Sequence, residues 1–419
     1  MHVVTELTDP MVAPAGAEEV AVPGSPHRLR RIEGLRALAA GLVVYYHVQR
    51  AVGLTHPGIV PAWLVPWNER LGPFGVGIFF VLSGFLLYRP FVRADLAGTP
   101  PPALGHYFLR RFTRIYPAYW VALAALFFVV GPSQLHSFSD WAVFFGLFQN
   151  YRNGSMLRGL GVAWTLVIEV SFYVTLPLIA AALRSRPGTS PGRRLARQLG
   201  GLAVMYATGV LVRTYAYWYK PTFRVRTGAF QPQWYPENTL LGYLDWFAVG
   251  MLLAVGAVWW QHRERMPGAL AWCRDRVWPA WLVAVGLYGA LTHWLDFPRP
   301  GSPWPYGVAM VVLTTFPWLA GLVVAPIVLA PEGRGWARRA LGTRIVVAVG
   351  TISYGIYLWH LVVNLQVLHW ISAGTLPRSA VLHAGIVVVA TLVLAAASYV
   401  IVERPFMAWS ARAGRRSTG

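Results

Sequence analysis

The sequence predicts an all-α, polytopic integral membrane protein, and three observations carry that prediction. Of 419 residues, 56% are hydrophobic and 14% aromatic, and only 12% are charged, against about 25% charged in soluble domains. The apolar residues fall into ten stretches, most of them close to the roughly 20 residues of helix that cross a hydrocarbon core of about 30 Å. Basic residues number 36 against 16 acidic ones, and all but Lys220 are arginines set in short clusters between the apolar stretches. Such clusters act as topology signals. They do not form the basic stripe with interleaved aromatics that a nucleic-acid partner would need, so none is expected. The single cysteine, Cys273, excludes a disulfide framework.

Taken in order, residues 1–26 are acidic, rich in Pro, Gly and Ala and without hydrophobic periodicity, which predicts a disordered cytoplasmic tail. The first apolar stretch begins only near Leu35, after Arg28, Arg30 and Arg31, so no cleavable signal is expected. Spans are expected near 35–53, 72–91, 115–131, 162–183, 199–217, 239–260, 277–294, 306–329, 345–366 and 381–402. Together they make one transmembrane domain over 27–406, followed by a basic cytoplasmic tail over 407–419. The apolar piece at 140–149 is too short to cross and is expected to be half-inserted. With that assignment one side of the membrane carries 26 basic residues and the other 8, which places both termini in the cytoplasm. The loop over 218–238 holds Trp218, Tyr219, Phe223, Phe230, Trp234 and Tyr235 beside Lys220, Arg224 and Arg226. It reads as an interfacial anchor or as a lid over an acceptor.

Ionisable groups inside spans cost about 2.5 to 3.5 kcal/mol each when central, so they mark function by default. Arg36 and His47 are eleven residues apart, which brings them within about 20° of one helix face and about 16.5 Å apart along the axis. Arg36 would stand at the cytoplasmic mouth and His47 just beyond the midplane. Arg111 and Arg114 are three apart at the start of the third span, a good spacing for holding a phosphorylated ligand. Glu169, Asp245 and His360 fall in the outer halves of their spans. Permanent cations at the inner mouth and proton-transfer groups further out form a layered path. The histidines lack zinc-like spacing with carboxylates, so no metal site is argued. A Walker loop, a dinucleotide fingerprint and a nucleophile elbow are absent.

These motifs resemble the membrane-bound acyltransferase-3 family, the bacterial integral-membrane O-acyltransferases, over roughly residues 30 to 406. The resemblance rests on Arg31-Ile32-Glu33-Gly34-Leu35-Arg36 leading to His47, and on Phe79 to Phe85. It continues with Arg111-Phe112-Thr113-Arg114, Trp164 to Glu169 with Phe172-Tyr173, Ile352 to His360, and Glu403-Arg404-Pro405-Phe406. Glu33 stands where the family more often has Asp. The resemblance implies transfer of an acyl group, often acetyl, from cytoplasmic acyl-CoA to a hydroxyl on a glycan, glycolipid or macrolide-like acceptor at the bacterial inner membrane. It implies no permanently bound cofactor, with acyl-CoA as donor substrate. Some relatives carry an SGNH-hydrolase-like domain. The 13 residues after Phe406 leave no room for one, so direct transfer or hand-over to a separate protein is expected.

On this reading Arg36, Arg111 and Arg114 hold the coenzyme A phosphates through guanidinium forks. His47 is the general base on the acceptor hydroxyl, and Glu169 either orients its imidazole or positions the acceptor. Ser83, Trp164, Tyr173, Asp245, Tyr357 and His360 are expected along the substrate path. A helix interruption at Ser83-Gly84 is the expected source of oxyanion donors. The competing reading is a proton-coupled transporter or flippase that uses Arg36, His47, Glu169 and Asp245 as a relay.

Overall fold

The computed structural model describes residues 26–52, 65–130, 135, 137–152, 154–219, 238–261, 268, 271–272, 276–295, 306–330 and 335–416. The expected N-terminal tail up to residue 25 and loop residues 220–237 lie outside that set. Among the described residues the chain is helical, with no strand. In chain order the helices are α1 (Pro26–Ala51), α2 (Val65–Ala97), α3 (Leu104–Ala125), α4 (Phe138–Phe145), α5 (Ala163–Leu183) and α6 (Pro191–Tyr219). They continue with α7 (Leu244–Trp259), α8 (Val277–Trp294), α9 (Tyr306–Leu329), α10 (Trp336–Leu341), α11 (Arg344–Thr351), α12 (Ser353–Ser372), α13 (Ala380–Ser398) and α14 (Arg404–Arg416).

Six helical segments are long and apolar enough to cross a membrane among the described residues, and a seventh forms if α11 and α12, bent by 68°, count as one. The protein is therefore a multi-pass membrane protein. The other three expected spans exist as the helices α1, α3 and α8. Their mean hydropathy or charge falls short because arginines dilute α1 and α3, and Trp, Pro and His dilute α8. The piece expected at 140–149 is the eight-residue helix α4, about 12 Å long and so unable to cross. Ser137 and Asp140 form a capping box at its start, satisfying two otherwise orphaned backbone donors. Tyr119 and Trp120 of α3 tie down its far end, donating to the carbonyls of Phe144 at 2.6 Å and Phe145 at 2.9 Å.

Helix α1 buries Leu35, Ala39 and Val43, a stripe with the four-residue step of a helix face. It packs on α2, which in turn packs on α7. Small residues let backbones meet at that second contact: a Cβ on Gly84 would strike the Phe247 carbonyl, and one on Gly250 the Val81 carbonyl. Close approach of this kind replaces the hydrophobic driving force that helices lack in lipid. The end of α2 is clamped to the α5–α6 connection and to α6, because Asp95 accepts from the Ser185 backbone N–H at 2.7 Å and from Gln198 Nε2 at 2.8 Å.

One expectation about the helices is corrected. Helix α2 runs unbroken through Ser83 and Gly84, since helical backbone there lets Gly84 settle against Phe247. The interruption lies at Ile352, between α11 and α12.

Candidate functional site

A cavity, open at its mouth, lies between α1, α2, α3, α5 and α12. Its polar lining comprises Glu33 and Arg36 of α1, Ser83 of α2, Arg111 and Arg114 of α3, Thr165, Glu169 and Tyr173 of α5, and Ser353, Tyr354 and Tyr357 of α12. Each helix contributes through its own spacing. Arg111 and Arg114, like Glu33 and Arg36, are three apart, and Glu169 and Tyr173 are four apart, so each pair shares a helix face.

The three guanidinium groups are held differently. Arg36 Nη1 donates to both carboxylate oxygens of Glu33 at 3.2 Å. Arg111 lies over the Tyr173 ring, 5.9 Å from its centroid, and its buried Nε has no hydrogen-bond partner. Arg114 stands within electrostatic reach of Glu33, Glu169 and Glu403. Among the described residues neither Arg111 nor Arg114 donates a hydrogen bond to a carboxylate, which leaves donors for a ligand. Glu169 Oε1 accepts from the Ser83 hydroxyl at 2.5 Å and from the Tyr173 hydroxyl at 2.6 Å.

A second cluster adjoins the cavity behind Tyr357. The Tyr357 ring is 6.1 Å from that of His360, and its hydroxyl is bonded to Thr165 and to the Val162 carbonyl. His360 Nδ1 lies 3.0 Å from the Ile356 carbonyl, His360 Nε2 lies 3.3 Å from His47 Nδ1, and His47 Nδ1 lies 2.9 Å from the Val43 carbonyl. Carbonyl oxygens only accept, so each Nδ1 carries the proton in the neutral pair. His360 Nε2 then accepts from His47, and the lone pair of His47 sits on Nε2. An imidazole in this tautomer can take a proton at Nε2 while its Nδ1–H remains held.

The structure thus brings Arg36, Arg111, Arg114, Ser83, Glu169, Tyr173 and Tyr357 to one cavity and sets His47 and His360 beside it. Glu169 shares the cavity with the arginines, where the sequence suggested a separate depth. Depth counted along helix axes omits the several Å that an arginine stem carries its charge from the Cα. Glu169 hydrogen-bonds Ser83 and Tyr173, and it is His360 that contacts His47. Asp245 is not at the cavity wall. It is fully buried in an ion pair with Arg213, at 2.5 Å, between α7 and α6. Trp164, at the start of α5, packs against the Tyr243 ring at 5.8 Å, and its carbonyl accepts from Asn150 at 2.8 Å.

Sequence reasoning did not assign roles to Ser353, Tyr354 or Glu403. For Ser353 a signal existed: 353, 357 and 360 follow the i, i+4, i+7 stripe of one helix face. Glu403 sits on a π-helical turn, Tyr399–Glu403, whose register simple periodicity does not anticipate.

An acyltransferase domain family matches residues 29–400 of the chain. Nodulation protein 10 of Rhizobium leguminosarum bv. viciae is 25% identical over 406 residues, covering 91% of this chain and 94% of that protein. The putative membrane-bound transacylase BcsY of Komagataeibacter xylinus is 28% identical over 406 residues, covering 92% and 85%. A putative O-acetyltransferase of Staphylococcus aureus strain COL is 23% identical over 393 residues, covering 90% of this chain and 56% of that longer protein. No solved structure matches. With nearly its whole helical body covered by the family match, and with the motif arginines and Glu169 lining one cavity that the imidazole pair adjoins, the chain belongs to the acyltransferase-3 family of membrane acyltransferases.

Proposed function

We propose that the protein transfers a short acyl group, most simply acetyl, from cytoplasmic acyl-CoA to a hydroxyl of a glycan, glycolipid or macrolide-like secondary metabolite at the bacterial inner membrane. The observation that carries this reading is a cavity lined by Arg111 and Arg114, two guanidinium groups without a hydrogen-bonded carboxylate, and adjoined behind Tyr357 by an imidazole pair in which His47 Nε2 is left as a base. The arginines take the phosphates of coenzyme A, and the pantetheine arm carries the thioester toward His47. His47 Nε2 accepts the proton of the acceptor hydroxyl as its oxygen bonds to the thioester carbonyl carbon. Collapse of the tetrahedral adduct breaks the C–S bond, and the imidazolium returns the proton to the leaving thiolate. His360 and the Val43 carbonyl hold the Nδ1–H throughout, the part a carboxylate plays in a Ser-His-Asp triad. Glu169, bonded to Ser83 and Tyr173 within the cavity, faces the acceptor.

The test uses purified protein in lipid with labelled acetyl-CoA. Wild type should release coenzyme A and transfer label, His47→Ala should lose both by more than about 100-fold, and coenzyme A binding should persist. Arg111→Ala and Arg114→Ala should raise the KM for acyl-CoA about tenfold each, as loss of a charge-assisted hydrogen bond does. Substantial turnover by folded His47→Ala would overturn the base assignment. No donor binding or turnover by folded wild type would favour a transporter.

A further inference from the structure

We propose that the bend between α11 and α12 builds a phosphoryl-binding subsite in the cavity, in which the Ser353 hydroxyl and the open N-terminus of α12 receive phosphate oxygens of the ligand held by Arg111 and Arg114. The proposal rests on the reading that the cavity takes a phosphorylated ligand, and it adds the groups that recognise the phosphate.

Three independent observations meet at this point. First, α12 is a 20-residue helix that begins after a 68° break and has no side-chain cap. The first N–H groups of a helix have no intrahelical acceptor, and they carry the positive end of its dipole. Such an end is a ready anion site. Second, Ser353 lines the cavity and is 0% exposed, yet its Oγ has no hydrogen-bond partner. A hydroxyl on a helix ordinarily satisfies itself by bonding back to a carbonyl one turn earlier. Thr351, two residues before, does so, donating to the Val347 carbonyl at 2.9 Å. Ser353 does not, which leaves its hydroxyl free to meet an oxygen of a ligand in the cavity it lines.

The third observation is the charge around the cavity. Three guanidinium groups, Arg36, Arg111 and Arg114, line the cavity with two carboxylates, Glu33 and Glu169. The carboxylates offset most of the cationic charge. Net attraction for a phosphate is therefore strengthened by donors that bring no counter-charge of their own, and a helix N-terminus and a hydroxyl are such donors. The bend is also at the right level, because Gly350 packs directly on the Glu33 backbone, one turn of α1 from Arg36.

The phosphate could belong to coenzyme A or to the diphosphate head of a lipid carrier, and two titrations separate these sources. The full-length protein in dodecyl maltoside, which has no phosphate, is titrated with coenzyme A, with S-acetylpantetheine, which lacks phosphate, and with farnesyl diphosphate. Wild type is compared with Ser353→Ala and Ser353→Cys. Removing an unpartnered hydroxyl leaves the thermal midpoint unchanged or raised, whereas loss of a structural hydroxyl would lower it. The expected result is a loss of about tenfold in coenzyme A affinity in both variants, with S-acetylpantetheine unaffected. The same loss confined to farnesyl diphosphate would support the subsite and assign it to a lipid head. Unchanged affinity for both phosphorylated ligands in the variants, or no binding of either by wild type, would overturn the subsite. If wild type binds farnesyl diphosphate but not coenzyme A, the acyl-CoA donor reading fails while the subsite is still tested.

Discussion

His47 carries its consequence through a tautomer. Two carbonyls, of Val43 and Ile356, and the imidazole of His360 fix which nitrogen of each ring bears the proton. A histidine in a span is usually expected to need a carboxylate partner, and here the partner is another neutral imidazole. That choice avoids burying an extra charge, which is costly away from water. In the proposed mechanism His360 is a positioning residue. Replacing it with alanine should lower kcat by about 100-fold, the lower end of what general-base catalysis contributes, with the KM for acyl-CoA within about twofold. His360→Asn keeps an acceptor for the His47 Nδ1–H and should recover part of the rate. A rise in KM with unchanged kcat would instead mark His360 as a donor-binding group.

Among the helices, the α6–α7 contact shows how a charged residue in a span can serve the fold. Arg213 donates to both oxygens of Asp245, at 2.6 and 2.5 Å, and also to the Gly242 carbonyl. Both side chains are essentially inaccessible, at 1% and 0% exposure. Breaking such a pair strands a charge and costs about 3 to 5 kcal/mol, whereas replacing both partners with apolar residues is often nearly neutral. Asp245→Ala should therefore sharply lower the thermal midpoint in detergent, and Arg213→Met with Asp245→Leu should restore much of it. Donor affinity should be unchanged in the double variant. A double variant that is stable but has lost acceptor transfer would return Asp245 to the substrate path.

At the scale of the molecule, the arginine asymmetry assigns the Thr99 connection to the cytoplasm and the Thr375 connection to the outside. Both positions are exposed in the described structure. Because the chain has one cysteine, Cys273, a Cys273→Ser background gives a clean test. An impermeant maleimide should label Thr375→Cys in intact cells and Thr99→Cys only after lysis. The reverse pattern would invert the topology and place the arginine cavity toward the wrong compartment for a cytoplasmic donor.

The apolar stretches dictated the all-helical, multi-pass architecture, and the ordered motifs pointed to the family. Hydropathy marked ten stretches, each of which is helix where the structure describes it, because a backbone in lipid must satisfy its own hydrogen bonds. Local periodicity likewise paired Arg111 with Arg114. Tertiary structure alone decided the partners. Periodicity places a residue on a face of its own helix and says nothing of which helix that face will meet. Thus His360, 313 positions from His47, became its hydrogen-bond partner, while Glu169 turned to Ser83 and Tyr173 and Asp245 to Arg213. The break at Ile352 was hidden for a related reason. It lies within a stretch whose overall hydropathy reads as one span, and it forms where Gly350 packs on the backbone of α1.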